Sequence, residues 1–182
     1  MLRKNRGFSL LEVLTVVALT AIVSTVAVIQ MRQSIATLDA DRAMNAVVAQ
    51  IRYARQIAVD QRRDVDISFT GSNEIILTRQ DGGGGSTVMA DETLPSGYTF
   101  GLPTGVSDTP EGYGNTQPVS FNLDTSGTFL GDGTCVNSGG IVINGTVFTI
   151  GSGNGSARAV TLTGASGRLK QYWVQGTSWT ER

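Results

Sequence analysis

The sequence predicts an α+β protein in which one long N-terminal helix packs on a C-terminal antiparallel β-sheet domain. Neither glycine nor proline occurs from Phe8 through Thr70, so nothing there interrupts a helix. From Asp64 onward, apolar and polar residues alternate, which is the period of a half-buried strand. Glycine-rich turns then divide the remaining chain into short segments. A length of 182 residues suits one such domain plus a helix better than two domains.

The N-terminus combines a short basic leader with a long apolar segment. Residues 1–7 contain three basic side chains and no acid, and the 22 residues 8–29 carry one charge, Glu12. At about 1.5 Å per residue this segment is about 33 Å long, enough to cross a hydrocarbon core about 30 Å thick. We therefore predict a transmembrane helix over residues 8–29, with the basic flank in the cytoplasm.

Three interpretations of this segment compete. A cleaved secretory signal has a shorter apolar region and an Ala-x-Ala cleavage site, which is missing here. A plain signal anchor explains the length but not Glu12, because a charge within the membrane costs at least about 2.5 kcal/mol. Cleavage after Gly7 would make Phe8 the new N-terminus and place Glu12 four residues beyond it. The carboxylate could then pair with a terminal ammonium, either its own or that of a neighbouring subunit.

The residues Gly7-Phe8-Ser9-Leu10-Leu11-Glu12 resemble the prepilin signature of type IV pilins and type II secretion pseudopilins. The resemblance implies that a membrane prepilin peptidase cuts after Gly7 and N-methylates Phe8. It also implies that Glu12, the fifth mature residue, guides assembly with other pilin subunits on an assembly platform. The expected location is the bacterial inner membrane, with the C-terminal domain in the periplasm, and afterwards a pilus or pseudopilus.

Composition argues against several other functions. There are 14 basic and 15 acidic residues, and removal of the leader's three basic residues leaves 11 against 15, or about −4. This balance does not suit a protein coated in basic charge for nucleic acid. The chain has no histidine, so imidazole-based catalytic triads and metal sites cannot form, and we expect no enzyme activity, metal or cofactor. Cys135 is the single cysteine, either a buried small apolar residue or an exposed thiol.

Residues 30–62 are predicted to continue the helix as an amphipathic segment that enters the globular domain. One helix from about Phe8 to about Gln61 would be about 80 Å long. Apolar residues recur there at intervals of three and four, as on the buried face of a helix. They are Ile35, Leu38, Met44, Val47, Val48, Ile51, Ala54 and Ala58.

The β-rich domain is predicted over residues 63–182 and begins with two strands. Val65, Ile67 and Phe69 alternate with polar residues, and a turn at 71–73 leads to a strand over 74–78. The glycine-rich segment 81–86 is predicted to be a flexible loop. It lacks the Gly-Lys-Ser/Thr ending of a phosphate-binding loop.

The middle of the domain reads mostly as surface loop. Residues 90–117 are rich in proline and glycine, with one short strand at 98–102. A strand over 119–123, a turn at 124–127 and a short return at 128–130 follow.

The last third of the chain is predicted to contain two hairpins. Residues 141–150 hold Asn144-Gly145 between two β-branched runs, which favours a hairpin with a type I′ turn. Residues 151–156 are predicted as a connector. A strand over 159–163, a turn at 164–167 and a strand over 168–174 form the second hairpin.

This order of elements resembles the GspH/FimT-type minor pseudopilins and minor pilins. In some members that take up DNA, a Gly-Arg-x-Arg motif near the C-terminus binds DNA. The matching residues here are Gly167, Arg168, Leu169 and Lys170. Lysine at the last position lacks the planar fork with which arginine grips phosphate.

Strand alternation places Arg168 and Lys170 on the face opposite Leu169. Tyr172 would share their face, and Arg158 and Arg182 are candidates to join them. Such a cluster suits either a small DNA site or basic residues that keep a strand soluble and unpaired. The predicted function is a minor pilin or pseudopilin, a structural subunit for protein secretion or pilus biogenesis. The alternative is a DNA-binding minor pilin of a DNA-uptake pilus.

Overall fold

A computed structural model describes residues 9–122 and 124–182, except for the side chains of residues 28–34, 154 and 155. Gly7 and Phe8 therefore lie outside the described residues. A single helix, α1, spans Leu10–Gln61 and has 52 residues. It ends at the predicted residue. The chain divides into two compact units between Thr37 and Leu38.

In the first unit, the helix from Leu10 to Ala27 is long and apolar enough to cross a membrane, and all of it is exposed. Each hydroxyl side chain of this segment donates to a backbone carbonyl in the preceding turn. The pairs are Thr15 to Glu12 at 2.9 Å, Thr20 to Val17 at 2.9 Å, Ser24 to Thr20 at 2.7 Å and Thr25 to Ala21 at 2.9 Å. The helix thus satisfies these polar groups internally, as lipid requires.

In the second unit, α1 contributes one face to the core. Its buried apolar residues run from Ala40 to Ala58 at helical spacing. Ile35 and Leu38, which the sequence pattern placed on the same stripe, are 46% and 57% exposed. The buried part of the stripe therefore begins later than predicted.

Five strands form the first sheet, sheet A, in the order β3-β2-β1-β6-β7. Their bounds are β1 Val65–Thr70, β2 Glu74–Gln80, β3 Ser86–Thr93, β6 Ser126–Phe129 and β7 Cys135–Val136. The predicted β1–β2 hairpin is confirmed, with Thr70 opposite Glu74 around the turn. The prediction of loop from residue 90 was wrong for 90–93, which belong to β3. This edge strand is mostly exposed and shows no twofold pattern.

Six strands form sheet B, in the order β11-β10-β9-β8-β4, with β5 also paired to β8. Their bounds are β4 Thr99–Phe100, β5 Val119–Phe121, β8 Gly145–Gly151, β9 Gly153–Thr163, β10 Arg168–Gln175 and β11 Ser178–Glu181. Every pairing in both sheets is antiparallel. The α+β class and the β9–β10 hairpin are confirmed.

The predicted hairpin over residues 141–150 was wrong. Ile141 and Val142 lie before β8 and are 65% and 49% exposed. Gly145 is not among the glycines with positive φ, which a type I′ turn requires. It starts β8, and a Cβ there would overlap the ring of Phe121 on the paired strand β5. Glycine is needed for this close approach, not for a turn.

Two further predicted connections also differ. Residues 151–156 were predicted as a connector, but β8 and β9 pair directly, with Gly151 opposite Gly153. The strand at 119–121 and the return at 126–129 do not form a hairpin, because β5 lies in sheet B and β6 in sheet A. Leu123 lies outside the described residues.

Two apolar clusters cover the opposite faces of sheet B. The larger cluster joins α1 to both sheets and includes Val147, Val160 and Leu162. The smaller one contains Phe148, Ala157, Ala159, Tyr172 and Trp179, with loop residues Leu102 and Val106 packed against it. Residues 38–182 therefore contain a complete core of their own.

Cys135 lies inside this core with no exposed surface. Burial raises the pKa of its thiol to about 12. Of the two interpretations of this cysteine, the structure selects the buried small residue. The thiol has neither the exposure nor the acidity of a reactive cysteine.

Candidate functional site

Glu12 lies in the first turn of α1 and is exposed. Its backbone N–H donates to the carbonyl of Ser9 at 3.0 Å, and that of Val13 donates to the same oxygen at 3.2 Å. An acidic side chain in the first turn is favoured by the positive end of the helix dipole. Glu12 is also the single charged residue of the Leu10–Ala27 segment.

Gly167, the first residue of the C-terminal motif, closes the turn between β9 and β10. Its φ of 66° lies in the left-handed region, and a Cβ there would overlap the side chain of Arg55 from α1. Arg55 is held in place because its Nε donates to the carbonyl of Gly133 at 3.0 Å. The motif glycine therefore lies directly against a helix arginine.

Arg168 and Lys170 have different surroundings although they share a strand face. The Arg168 side chain is exposed, and its backbone N–H donates to Ser166 Oγ at 3.3 Å. Lys170 Nζ lies 2.9 Å from Glu111 Oε1 and 2.9 Å from Glu181 Oε2. Hydrogen bonds to Glu111 and then Glu181 raise the pKa of Lys170. Two carboxylates thus compensate its charge.

Tyr172 lies on the same face as Lys170, as predicted, and is fully buried. Its hydroxyl donates to Glu111 Oε1 at 2.5 Å, and burial, followed by this bond, raises the pKa of Tyr172 to about 12. Burial acts to raise the pKa of Glu111, but hydrogen bonds from Lys170 and Tyr172 outweigh it and the pKa is lowered. Glu111 belongs to the loop before β5, so these bonds fasten that loop to β10.

The expectation that Arg158 and Arg182 would join this cluster was wrong. Both bind Asp41 of α1, Arg158 through Nε at 2.9 Å and Arg182 through a terminal nitrogen at 3.1 Å. Arg158 is paired with Trp173 in the β9–β10 register. Its side chain therefore lies on the sheet face opposite Tyr172 and Lys170. It therefore points to the helix side of sheet B, away from Lys170.

A groove of about 480 Å³ lies between α1 and the β9–β10 turn. Its apolar lining consists of Ile51, Val59 and Leu169, and its polar lining includes the side chains of Arg52, Arg55 and Gln56. Gly167 completes the wall. Sequence reasoning assigned no role to these arginines, although their three-residue spacing on a helix was a usable signal. In the part of the chain that the structure describes, no group of three or more His, Cys, Asp or Glu side chains could hold a metal ion.

Comparison with known families gives two matches. The family described as type II transport protein GspH matches residues 43–167, and the prokaryotic N-terminal methylation motif matches residues 2–28. Searches of curated proteins and of solved structures gave no match. The two family matches confirm the resemblance inferred from the segment around Glu12 and from the order of elements.

Proposed function

Because the chain belongs to the GspH family of type II transport proteins, we propose that it is a minor pseudopilin or minor type IV pilin. The family consists of structural subunits and not of enzymes. Membership implies processing by prepilin peptidase and assembly with other pilin or pseudopilin subunits. The proposed role is that of a filament subunit for protein secretion or pilus biogenesis.

The observation that carries this proposal is the position of Glu12. An exposed carboxylate in the first turn of the otherwise uncharged, apolar segment Leu10–Ala27 is costly in lipid unless it has a cationic partner. After cleavage behind Gly7, the ammonium of Phe8 in a neighbouring subunit supplies that partner. Pairing would stabilise the subunit in a filament relative to the free subunit in the membrane.

The proposed location follows from the same segment. The apolar helix anchors the subunit in the inner membrane, with the basic leader in the cytoplasm. Residues 38–182 then lie in the periplasm. The assembly platform moves the processed subunit from the membrane into a pilus or pseudopilus.

Processing is tested by mass spectrometry of the mature N-terminus in cells with and without prepilin peptidase. We expect an N-methylated Phe8 when the peptidase is present and an intact leader when it is absent. A mature protein that starts at Met1, or at any residue other than Phe8, would contradict the processing step.

Assembly is tested with Glu12→Gln, which removes the charge and keeps the shape. We expect normal membrane insertion but loss from sheared or purified filaments, with Glu12→Asp retaining part of the incorporation. Membrane fractionation supplies the control for insertion. Normal incorporation of Glu12→Gln would show that pairing at this carboxylate does not drive assembly.

The alternative function, DNA binding in a DNA-uptake pilus, depends on Gly167, Arg168 and Lys170. It is supported by the exposed guanidinium of Arg168, which has no carboxylate partner among the described residues. The carboxylates at Lys170 weaken it, because phosphate would have to compete with them. The test is a titration of residues 38–182 with duplex DNA at two salt concentrations. Unchanged binding by Arg168→Ala/Lys170→Ala, or no binding at all, would exclude this site.

A further inference from the structure

The groove between α1 and the β9–β10 turn is lined by two guanidinium groups and by no carboxylate. Arg52 and Arg55 lie three residues apart on the same side of the helix, and neither forms an ion pair among the described residues. Asp60 follows on this side of the helix, but Gln56 Nε2 donates to both of its carboxylate oxygens at 2.8 Å. Both arginines can therefore receive a carboxylate from another molecule.

Arg55 is held in a fixed position at the groove. Its Nε donates to the carbonyl of Gly133 at 3.0 Å. Gly133 and Gly167 both have positive φ, and a Cβ on either glycine would press against the guanidinium. Among the described residues, the terminal nitrogens of Arg55 have no hydrogen-bond partner. A guanidinium fixed in this way loses little side-chain entropy when it binds a carboxylate.

The groove also has an apolar floor. Val59 is 42% exposed although it is a large aliphatic residue, and Leu169 is partly buried beside it. Leu169 lies on the sheet face opposite Arg168 and Lys170, so the groove is separate from the face that carries the alternative DNA site. Phosphate groups would leave the floor uncovered. A peptide with an aliphatic side chain next to a carboxylate would cover the floor and also bind the arginines.

We propose that this groove docks a peptide segment of a neighbouring subunit of different sequence, in which an aliphatic side chain lies beside an aspartate or glutamate. The carboxylate binds Arg55 and Arg52, and the aliphatic side chain packs on Val59 and Leu169. The inference rests on the proposed function, in which this chain assembles with other pilin or pseudopilin subunits. It adds the docking surface and the chemistry of the partner segment.

A partner of different sequence suits the charge of this chain. Residues 38–182 hold 10 basic and 14 acidic side chains, so identical domains repel one another at long range. A minor pilin or pseudopilin, as proposed above, also has subunits of other sequence as its neighbours. The groove then selects one neighbour, and the contact does not propagate from copy to copy.

The chemistry of the groove is tested by adding three blocked peptides to isotope-labelled full-length protein in detergent micelles at low salt. The first peptide has a leucine between two glutamates, the second has glutamines in place of the glutamates, and the third has glycine in place of the leucine. We expect the first peptide to shift the amide signals of residues 51–59 and 167–169 in NMR spectra. The other two should bind at least about fivefold more weakly, because each lacks one of the two contacts.

Substitutions in the groove locate the binding site of the first peptide. Arg52→Glu should weaken its binding about tenfold, because like charges then meet. Arg168→Glu is the matched control, since it makes the same charge reversal at an exposed arginine on the opposite face of sheet B. It should bind the peptide like the parent. Both positions are exposed, so thermal unfolding should stay within a few degrees of the parent and show that the fold is retained.

The natural occupant is identified in cells with a benzophenone side chain introduced at position 56 of the full-length protein. We expect ultraviolet light to link this position to another pilin or pseudopilin subunit, at a segment with an aliphatic residue next to an acidic one. Arg52→Glu should reduce the yield of this product. Reversal of the partner's acidic residue to lysine should restore the yield with Arg52→Glu, because the opposite charges then meet again.

Four outcomes would overturn the inference. They are equal binding of the three peptides, peptide binding that Arg52→Glu leaves unchanged, cross-links to a second copy of this chain, and cross-links to no pilin subunit. A groove that responds to duplex DNA and not to the first peptide would instead be a nucleic-acid site. The peptide titration requires neither processing nor a filament, so its failure is distinct from a failure of the proposed function.

Discussion

Two separate structural reasons require glycine at position 167. Its backbone has a φ of 66°, and the space where a side chain would begin is filled by Arg55. Gly176 has nearly the same φ, 65°, but nothing lies near its missing side chain. Substitutions at these two glycines therefore distinguish the cost of backbone strain from the cost of steric overlap.

We expect Gly176→Ala to cost about 1 kcal/mol in the free energy of unfolding, from the left-handed backbone alone. Gly167→Ala should cost at least about 1 kcal/mol more, because Arg55 must move and loses its hold on Gly133. Denaturant unfolding of residues 38–182 measures both. Equal costs for the two substitutions would show that Arg55 yields freely.

Asp41 anchors two arginines of the sheet B region to α1, Arg158 from β9 and Arg182 directly after β11. Arg158 is 5% exposed, whereas the Arg182 side chain is 47% exposed. A buried guanidinium that loses its carboxylate is far more costly than an exposed one. The two partners of one aspartate should therefore contribute very unequally.

Asp41→Asn is expected to destabilise residues 38–182 by about 3 kcal/mol, because Arg158 stays buried without its counter-charge. Arg182→Gln, the matched control at the other partner, should cost less than about 1 kcal/mol. Thermal or urea unfolding compares them. Similar effects of the two substitutions would mean that Arg158 relaxes to solvent when Asp41 is neutral.

Among the structural elements, the loop between β4 and β5 is attached to sheet B at several points, and Glu111 provides one of them. Glu111 accepts from buried Tyr172 and pairs with Lys170, while Trp179 Nε1 donates to the carbonyl of Ser107 at 2.8 Å. The loop thereby covers the smaller apolar cluster. The part of this attachment that Glu111 provides is strongest when its carboxyl group is ionised.

Because the pKa of Glu111 is lowered on folding, its carboxylate stabilises the fold above the ordinary value of 4.5. That contribution is lost as the pH falls through the lowered pKa of the folded state. We expect Glu111→Gln to be less stable than the parent near neutral pH and to lose less stability on acidification. Stability against pH for both proteins measures this difference, with Glu92→Gln on exposed β3 as the control. Parallel curves for parent and Glu111→Gln would contradict it.

The elements also show which sequence signals were sufficient. The sequence predicted α1 because apolar residues recur at helical spacing over many turns. It predicted the β1–β2 and β9–β10 hairpins because a local turn joins the two strands of each. The Asn144-Gly145 signal failed because Gly145 meets Phe121, a long-range contact that no local pattern encodes. Strand β3 was missed because an edge strand has little burial to impose alternation. The Glu111–Lys170 ion pair could not be predicted either, because it is a long-range contact between a loop residue and a strand residue.

At the scale of the whole molecule, the division between Thr37 and Leu38 separates an exposed apolar helix segment from a domain with a buried core. Everything buried among the described residues belongs to the second unit, beginning at Ala40. The first unit has its apolar surface exposed from Leu10 to Ala27. Residues 38–182 should therefore fold without the first unit.

A protein consisting of residues 38–182 is expected to be soluble and to unfold in a single cooperative transition. A shorter version starting at Ala49 loses five buried helix residues and should be destabilised by at least about 3 kcal/mol. Circular dichroism during heating distinguishes them. A broad, non-cooperative transition for residues 38–182 would show that the first unit is required for folding.

The hydroxyl groups of the Leu10–Ala27 segment affect the free energy of the proposed transfer of a subunit from the membrane into a filament. Thr15, Thr20, Ser24 and Thr25 all donate to carbonyls of their own helix. They need no partner in lipid, so in the proposed assembly none of their hydrogen bonds would have to break when the helix leaves the bilayer. The free energy of this proposed transfer would then be set by aliphatic surface, for which lipid and a packed filament are similar environments. Glu12 is the one charged side chain of the Leu10–Ala27 segment, so under the proposed function it is the residue for which the two environments would differ strongly and which would favour the filament.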